Sequence, residues 1–446
     1  MMSLIIFLGR IMDDTIFSLH SWPQAILHID GDAFFTSCEE VLHPELKGKP
    51  IITGAERGIV ACASYAAKKI GIKRGVNLRD AKIICPGLVV LPSDYETYSL
   101  FSRRMFMIMR RFTPQVEEYS IDEAFADITG LRRPLRSSYE NIARKVKTEI
   151  QREIGFTVSV GLSLTKVLAK VGSKYQKPDG LTVIPGRSIA NFLKDLPLDN
   201  IWGIGPATTA QLNKMGIKTA LEFARMPEQS IRKSFTKPTI EIWQELRGQS
   251  VCPVISEEKS TYASISKTKT FAPSTSDVDY LFAQLLRNLE SACIKARRYK
   301  LAPRRIALFL KTNNFLYSGC EVRLNRPSAY PMDLSDLVRD AFDNLHRKDI
   351  LYRATGVILM ELCSDRPVQY SLFDDAVKAD KVRTLYEAVD EISQRFGKHA
   401  LHLGGSHVIE VLGKGKRGKS TVRERTQFFG ETKRQHLGLP ILHVKV

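Results

Sequence analysis

The chain has 446 residues, 43% of them hydrophobic and 26% charged, the composition of an ordinary globular protein of three or four domains. A net charge of +18 favours a polyanionic partner, nucleic acid before a membrane surface. The seven cysteines are scattered singly, without CxxC pairs or zinc spacing, which argues against a disulfide framework or zinc module and fits reduced thiols in the cytoplasm.

Residues 1–23 are expected to lie outside the fold as an extension. Their apolar run, MMSLIIFLGRIMDD, is far too short to span a bilayer and lacks the small-residue cleavage site of a secretory signal. AILHI, just before Asp30, is β-branched and alternating, the pattern of a buried strand. Residues 36–49 read as helical, and KGKPIITG leads into a second strand. IVACASYAAKKIGIKRGVNLRDAKIICPG reads as a strand followed by basic helices punctuated by glycine. LVVLPSD is a strand, and YETYSLFSRRMFMIMRRF carries apolar residues at three- and four-residue steps, as a helix does. QVEEYSIDEAFADIT alternates as a hairpin-like pair, a helix follows near 138–154, and FTVSVGLS is another strand. This first region is expected to form a mixed sheet with helices, interrupted by a helical insert after the first strand.

From about 185 to 250 the pattern is all-helical and includes IWGIGPATTAQLNKMG, where a tight GIG turn opens a helix. Residues 251–262 carry charge and a proline between patterned regions and are expected to be a linker. Residues 263–366 then order their strands and helices as βαββαβ, a compact domain of its own. Beyond lie QYSLF, a helix near 376–396, and a basic tail with nine Lys/Arg and two Glu from Lys414 to Val446.

Acidic residues in apolar surroundings carry the chemistry. Asp30 and Asp32 end the first strand, and Asp122-Glu123 sit within YSIDEAFADI. A lone buried carboxylate is costly and needs a cation, hydrogen-bond donors or a metal. If the hairpin lies beside the first strand, Asp30, Asp122 and Glu123 converge, although neighbours on a strand share one site only at a turn or strand end. Hard oxygen ligands of this kind suit Mg²⁺, and two such ions would clamp an in-line phosphoryl displacement. The other reading is that these acids pair with Lys or Arg.

HIDGDAFFTSCEE, ASYAAKKIGI, YSIDEAF and SLTKVLAKVGSKYQKPDG occur in this order, and together they resemble the Y-family translesion DNA polymerases of the bacterial DinB type. The resemblance covers residues 24 to about 373 and implies an α+β, multidomain right hand. Its parts would be a ferredoxin-like palm (24–32 and 94–184), small fingers (33–93), a helical thumb with a helix-hairpin-helix (185–250) and a βαββαβ little finger (263–366). Low-fidelity synthesis past damaged template bases, without proofreading, is the implied activity. A catalytically weak, clamp-tethered DNA-binding protein that recruits another polymerase is the alternative.

Carried over by motif, Asp30, Asp122 and Glu123 would be the catalytic carboxylates and, with the Gly31 carbonyl, would hold two Mg²⁺ ions. Asp32 would have a structural hydrogen-bonding role. Phe35 falls at the steric-gate position that excludes a ribose 2′-OH, with Phe34 beside it in the sugar-binding set. Tyr65, Lys68 and Lys177 would hold the triphosphate of the incoming dNTP. Lys68 stands where the family usually has Arg, and Cys62 where Ser or Thr is common. Lys keeps the charge but loses bidentate phosphate geometry. Gly203 and Gly205 would let backbone N–H groups approach a DNA phosphate. Arg297, Arg298, Lys300, Arg304, Arg305 and Lys311 are expected as a phosphate-tracking patch for primer–template DNA. Gln369, Leu372 and Phe373 resemble the bacterial sliding-clamp peptide. The protein would be a cytoplasmic monomer with no membrane partner.

Overall fold

The computed structural model describes residues 21–257, 261–365, 376–409 and 411. The described chain divides into two compact units between residues 257 and 258, within the stretch 251–262 expected as a linker.

In the first unit the strands are β1 (Ile26–Gly31), β2 (Ile51–Thr53), β3 (Cys62–Ala63), β4 (Val89–Leu91), β5 (Val116–Glu118), β6 (Glu123–Asp127), β7 (Val158–Ser163) and β8 (Leu181–Ile184). Helices α1 (Phe34–Leu42), α2 (Tyr65–Lys69), α3 (Leu78–Ile84), α4 (Tyr95–Arg110), α5 (Tyr139–Ile154) and α6 (Lys166–Tyr175) intervene, and α7 (Ile189–Leu193), α8 (Pro206–Lys214), α9 (Ala220–Arg225), α10 (Glu228–Ser234) and α11 (Lys237–Leu246) close the unit.

The main sheet has the order β5-β6-β1-β7-β8. Alternation along β1 decides what each face carries. Leu27 and Ile29 join Met105, Ile142 and Val160 in a core under α4 and α5. Ile26, His28 and Asp30 point to the opposite face, where α6 lies across β1 and β7. The close approach of α6 needs a glycine on β7. A Cβ on Gly161 would sit 1.9 Å from the Ala169 carbonyl oxygen and 2.3 Å from the Ser173 nitrogen. The first turn of α6 is capped twice: the Thr165 hydroxyl accepts from Leu168 N, and the buried Glu245 of α11 accepts from Val167 N at 3.2 Å.

The insert after β1 differs from the helical expectation. Besides α1, α2 and α3 it holds a three-stranded sheet, β3-β2-β4, with β2 and β4 parallel. Its small core is built on Ile52, Val60, Ala67, Ile72 and Leu88. IIT and VVL are strands, as the sequence led one to expect; the structure adds that they pair with each other in a sheet separate from the main one.

The second unit contains β9 (Ser264–Thr275), α12 (Val278–Arg298), β10 (Leu301–Ala302), β11 (Arg305–Thr312), β12 (Tyr317–Arg323), α13 (Pro331–Leu345), β13 (Tyr352–Met360), β14 (Cys363–Ser364) and α14 (Ala376–Phe396). Its antiparallel sheet has the order β12-β11-β13-β9, with α12 and α13 packed on one face; β10 and β14 pair as a separate ribbon. Ile306, Leu308 and Leu310 face the helices, so Arg305, Ala307, Phe309 and Lys311 face away. No described helix is long and apolar enough to cross a membrane. Residues 1–20, the clamp-like peptide with Gln369, Leu372 and Phe373, and the tail from 412 lie outside the described residues.

Gly161→Ala puts a methyl group into the α6 backbone and is expected to cost about 1–3 kcal/mol, read as a lowered thermal midpoint of the full chain. An unchanged midpoint would mean that α6 shifts freely over the sheet.

Candidate active site

β1 and β6 pair antiparallel with Asp30 directly opposite Glu123, and Gly31 N donates to the Asp122 carbonyl at 2.8 Å. Glu123 is the first residue of β6 and Asp122 belongs to the turn before it. This strand-end geometry brings the backbones of three acidic residues together at one end of β1 and β6.

Their side chains are met by the lysines of α6 and the loop after it. Lys177 pairs with Asp30, while Lys170 Nζ lies 2.8 Å from Glu123. His28 Nε2 donates to Glu123 at 3.2 Å, and its Nδ1 meets Ser173 Oγ at 2.7 Å. The Ser120 hydroxyl donates to Asp122. Among the described residues no three His, Cys, Asp or Glu side chains gather into a metal cage. Both readings of the acidic cluster are therefore visible in part. The backbones converge, and Asp30 and Glu123 each hold a lysine.

The electrostatics follow from burial. Asp30 has its carboxyl pushed up by burial; Lys177 opposes this, and Asp122 and Glu123 add to it. Burial also pushes Glu123 up, but hydrogen bonds from His28 and Lys170 outweigh it and hold the group at about 2. Burial lowers His28 to about 4, so its imidazole is neutral at pH 7. Hard carboxylate oxygens are the donors that suit a divalent cation, and Asp30, Asp122 and Glu123 with the Gly31 carbonyl fit one chemically.

Asp32 is buried and takes a different part. It accepts from Ser159 Oγ at 2.7 Å, Thr157 Oγ1 at 3.0 Å, Asp179 N at 2.8 Å and the Tyr65 hydroxyl at 3.4 Å. One carboxylate thus ties β7, the Lys177 loop and the start of α2 together. Tyr65 is kept protonated by burial and by Asp32 and Asp30.

Phe35 is half-buried and stacks on Tyr98, with ring centroids 4.7 Å apart and planes 14° from parallel. The Tyr98 hydroxyl donates to the buried Glu39 at 2.7 Å, which fixes the support under Phe35. Phe34 departs from the expected sugar contact. It is buried, edge-on to Phe156 at 5.5 Å and close under Gly31, where a Cβ would meet its ring at 2.8 Å. On α1 it lies about 100° round the helix from Phe35, which turns it into the core under the main sheet. Lys68 is exposed, its ammonium 4.3 Å from the Tyr65 ring centroid.

Gly203 has φ +89°, and Gly205 is the N-cap of α8, so the GIG turn does open a helix. In the second unit the expected arginine patch separates. Arg298 and Arg304 are exposed. Arg297 departs from the expectation: its guanidinium makes two hydrogen bonds to Asp390 of α14, at 2.7 and 2.8 Å, and a third to the Ala329 carbonyl at 2.8 Å. Arg305 is likewise held between Glu321, at 3.0 Å, and Glu361.

His28 and Lys170 were missed from the sequence. A signal existed: Lys166, Lys170, Ser173 and Lys177 recur at four- and three-residue steps, one face of a helix and its extension.

Sequence profiles match in three stretches: the impB/mucB/samB family at residues 29–174, its C-terminal domain at 262–372, and the IMS family HHH motif at 187–217. DNA polymerase IV of Desulfatibacillum aliphaticivorans is 31% identical over 375 residues, 83% of this chain and 94% of the relative. DNA polymerase IV of Moorella thermoacetica is 34% identical over 386 residues, 85% of this chain and 95% of the relative. Among solved structures, a Y-family DNA polymerase chimera of Dbh and Dpo4 aligns with TM-score 0.65 at 27% identity, covering 76% of this chain and 99% of the chimera. An insertion ternary complex of Dbh DNA polymerase aligns with TM-score 0.51 at 26% identity, covering 75% and 98%.

Arg297→Ala is expected to leave Asp390 unpaired and destabilise the second unit by roughly 3 kcal/mol, with little loss of DNA affinity at fixed salt. Arg304→Ala, at an exposed position, serves as the comparison. A large drop in DNA affinity for Arg297→Ala with unchanged thermal unfolding would return that arginine to the DNA.

Proposed function

Because the chain belongs to the impB/mucB/samB family of Y-family DNA polymerases and is a translesion DNA polymerase of the DNA polymerase IV type, we propose that Asp30, Asp122 and Glu123 are its catalytic carboxylates. The observation that carries this assignment is the register of β1 on β6, with Asp30 opposite Glu123 and Gly31 bonded to Asp122. A pair of Mg²⁺ ions held by these carboxylates and the Gly31 carbonyl would supply the positive charge for attack of a primer 3′-OH on the dNTP α-phosphate and departure of pyrophosphate.

The chain's own groups do the rest. Glu123, held ionised by Lys170 and the neutral His28, keeps a full negative charge at the strand edge. Lys177 and Lys68 bring positive charge to the triphosphate, and the Tyr65 hydroxyl adds a donor; Asp32 orients Tyr65 and the Lys177 loop. Phe35, rigid against Tyr98, lies under the sugar and excludes a 2′-OH by size. Gly203 and Gly205 offer backbone N–H groups to a DNA phosphate, and Arg298 and Arg304 offer charge without reading sequence. The Dbh relative was solved as an insertion ternary complex, which supports primer–template DNA and a nucleotide as partners here. The QYSLF peptide, through Gln369, Leu372 and Phe373, would dock on a bacterial sliding clamp. With small fingers and no second acidic block, synthesis is of low fidelity and without proofreading.

The test is primer extension on undamaged and abasic templates with Mg²⁺ and dNTPs. Extension should fall by at least about 10³-fold in Asp122→Ala and Glu123→Ala while DNA binding survives; near-normal extension would remove these residues from the metal site. Phe35→Ala should raise ribonucleotide incorporation relative to deoxyribonucleotide by roughly 10-fold or more, the scale of a pocket contact. An unchanged ratio would reassign the gate.

A further inference from the structure

At one end of the second unit's sheet, the turn between β11 and β12 carries three consecutive exposed apolar residues. Phe315 is 60%, Leu316 68% and Tyr317 65% exposed. The turn is a built element. Thr312 N donates to the Leu316 carbonyl at 2.9 Å, Phe315 N to the Thr312 carbonyl at 3.0 Å and Leu316 N to the Thr312 hydroxyl at 3.2 Å. Asn313 N donates to the Leu351 carbonyl at 2.8 Å, locking the turn to the loop before β13. Phe315 has φ +66°, in the left-handed region that suits Gly or Asn. A bulky aromatic there stores strain and gains no burial, and strain of this kind collects at functional sites.

The rings are interleaved with cations. Arg353 lies 4.2 Å and Lys311 4.9 Å from the Phe315 centroid, and Lys311 is 4.5 Å from the Tyr317 ring, which in turn is 5.6 Å from Phe309. Among the described residues neither Lys311 nor Arg353 pairs with a carboxylate, and Arg347 and Lys348 stand exposed on the adjoining loop. We propose that this tip is a stacking platform for single-stranded DNA, with bases on Phe315 and Tyr317 and phosphates on Lys311 and Arg353. Alternating aromatic faces and cations suit an unpaired strand, whose bases expose their flat faces, whereas a duplex keeps them stacked inside. A protein partner would use the apolar surface but leave the interleaved positive charge without a counterpart. The inference concerns a surface of the second unit and holds whether or not the carboxylate assignment does.

The test is binding of the full chain to a labelled oligothymidine and to a blunt duplex, with 2-aminopurine in a template overhang reporting stacking. Phe315→Asn removes the ring and suits the left-handed backbone, so folding is retained or improved. It should lose about 10-fold in single-strand affinity and relieve the 2-aminopurine quenching, with duplex affinity unchanged; Phe315→Trp should preserve both. Equal losses on single strand and duplex, or no loss on either, would overturn the platform. Unchanged single-strand binding with lost capture of a bacterial sliding clamp would overturn it in favour of a protein-docking face.

Discussion

Carboxylates that must stand side by side at a strand end repel one another, and partial burial removes the water that would screen them. The rest of this structure is arranged around that repulsion. β1 and β6 bring Asp30, Asp122 and Glu123 together, and α6 answers with Lys170 and, just beyond its end, Lys177. The helix can do so only because Gly161 lets its backbone rest on β7 and Glu245 of α11 caps its first turn. The packing of an ordinary-looking helix thus sets the charge balance around Asp30 and Glu123.

The same economy governs Asp32. It sits two residues from Asp30, just past the end of β1, and among the described residues no lysine comes within ion-pair distance of it. Four donors from three parts of the chain satisfy it instead. Two carboxylates in one short motif therefore serve different ends. Asp30 pairs with Lys177 at the end of β1, and Asp32 uses its charge to hold β7, the Lys177 loop and Tyr65 in one place. Phe34 and Phe35 divide in the same manner, one turned into the core and one left half-exposed on Tyr98.

In the second unit, likeness of sequence conceals unlikeness of task. Arg297 and Arg298 are neighbours, as are Arg304 and Arg305. One of each pair is bound to acids of its own domain, and the other faces solvent. Nothing local separates them, because Asp390 lies 93 residues from Arg297. The exposed rings at the β11–β12 turn escaped notice for the complementary reason. Only the left-handed backbone at Phe315 and the approach of Arg353 give that turn a shape.

By itself the sequence determined the order and type of nearly all the long elements, the βαββαβ plan of the second unit and the positions of the acidic motifs. Each of these is written in periodicity, turn residues or local spacing, which act over a few residues. Tertiary structure decided which face of each strand met which helix, and so which cation reached which carboxylate. It also decided that the IIT and VVL strands pair with each other in a sheet of their own and that Arg297 serves α14. These outcomes depend on contacts between residues far apart in the chain, where free energy depends on distance and burial that no local pattern encodes.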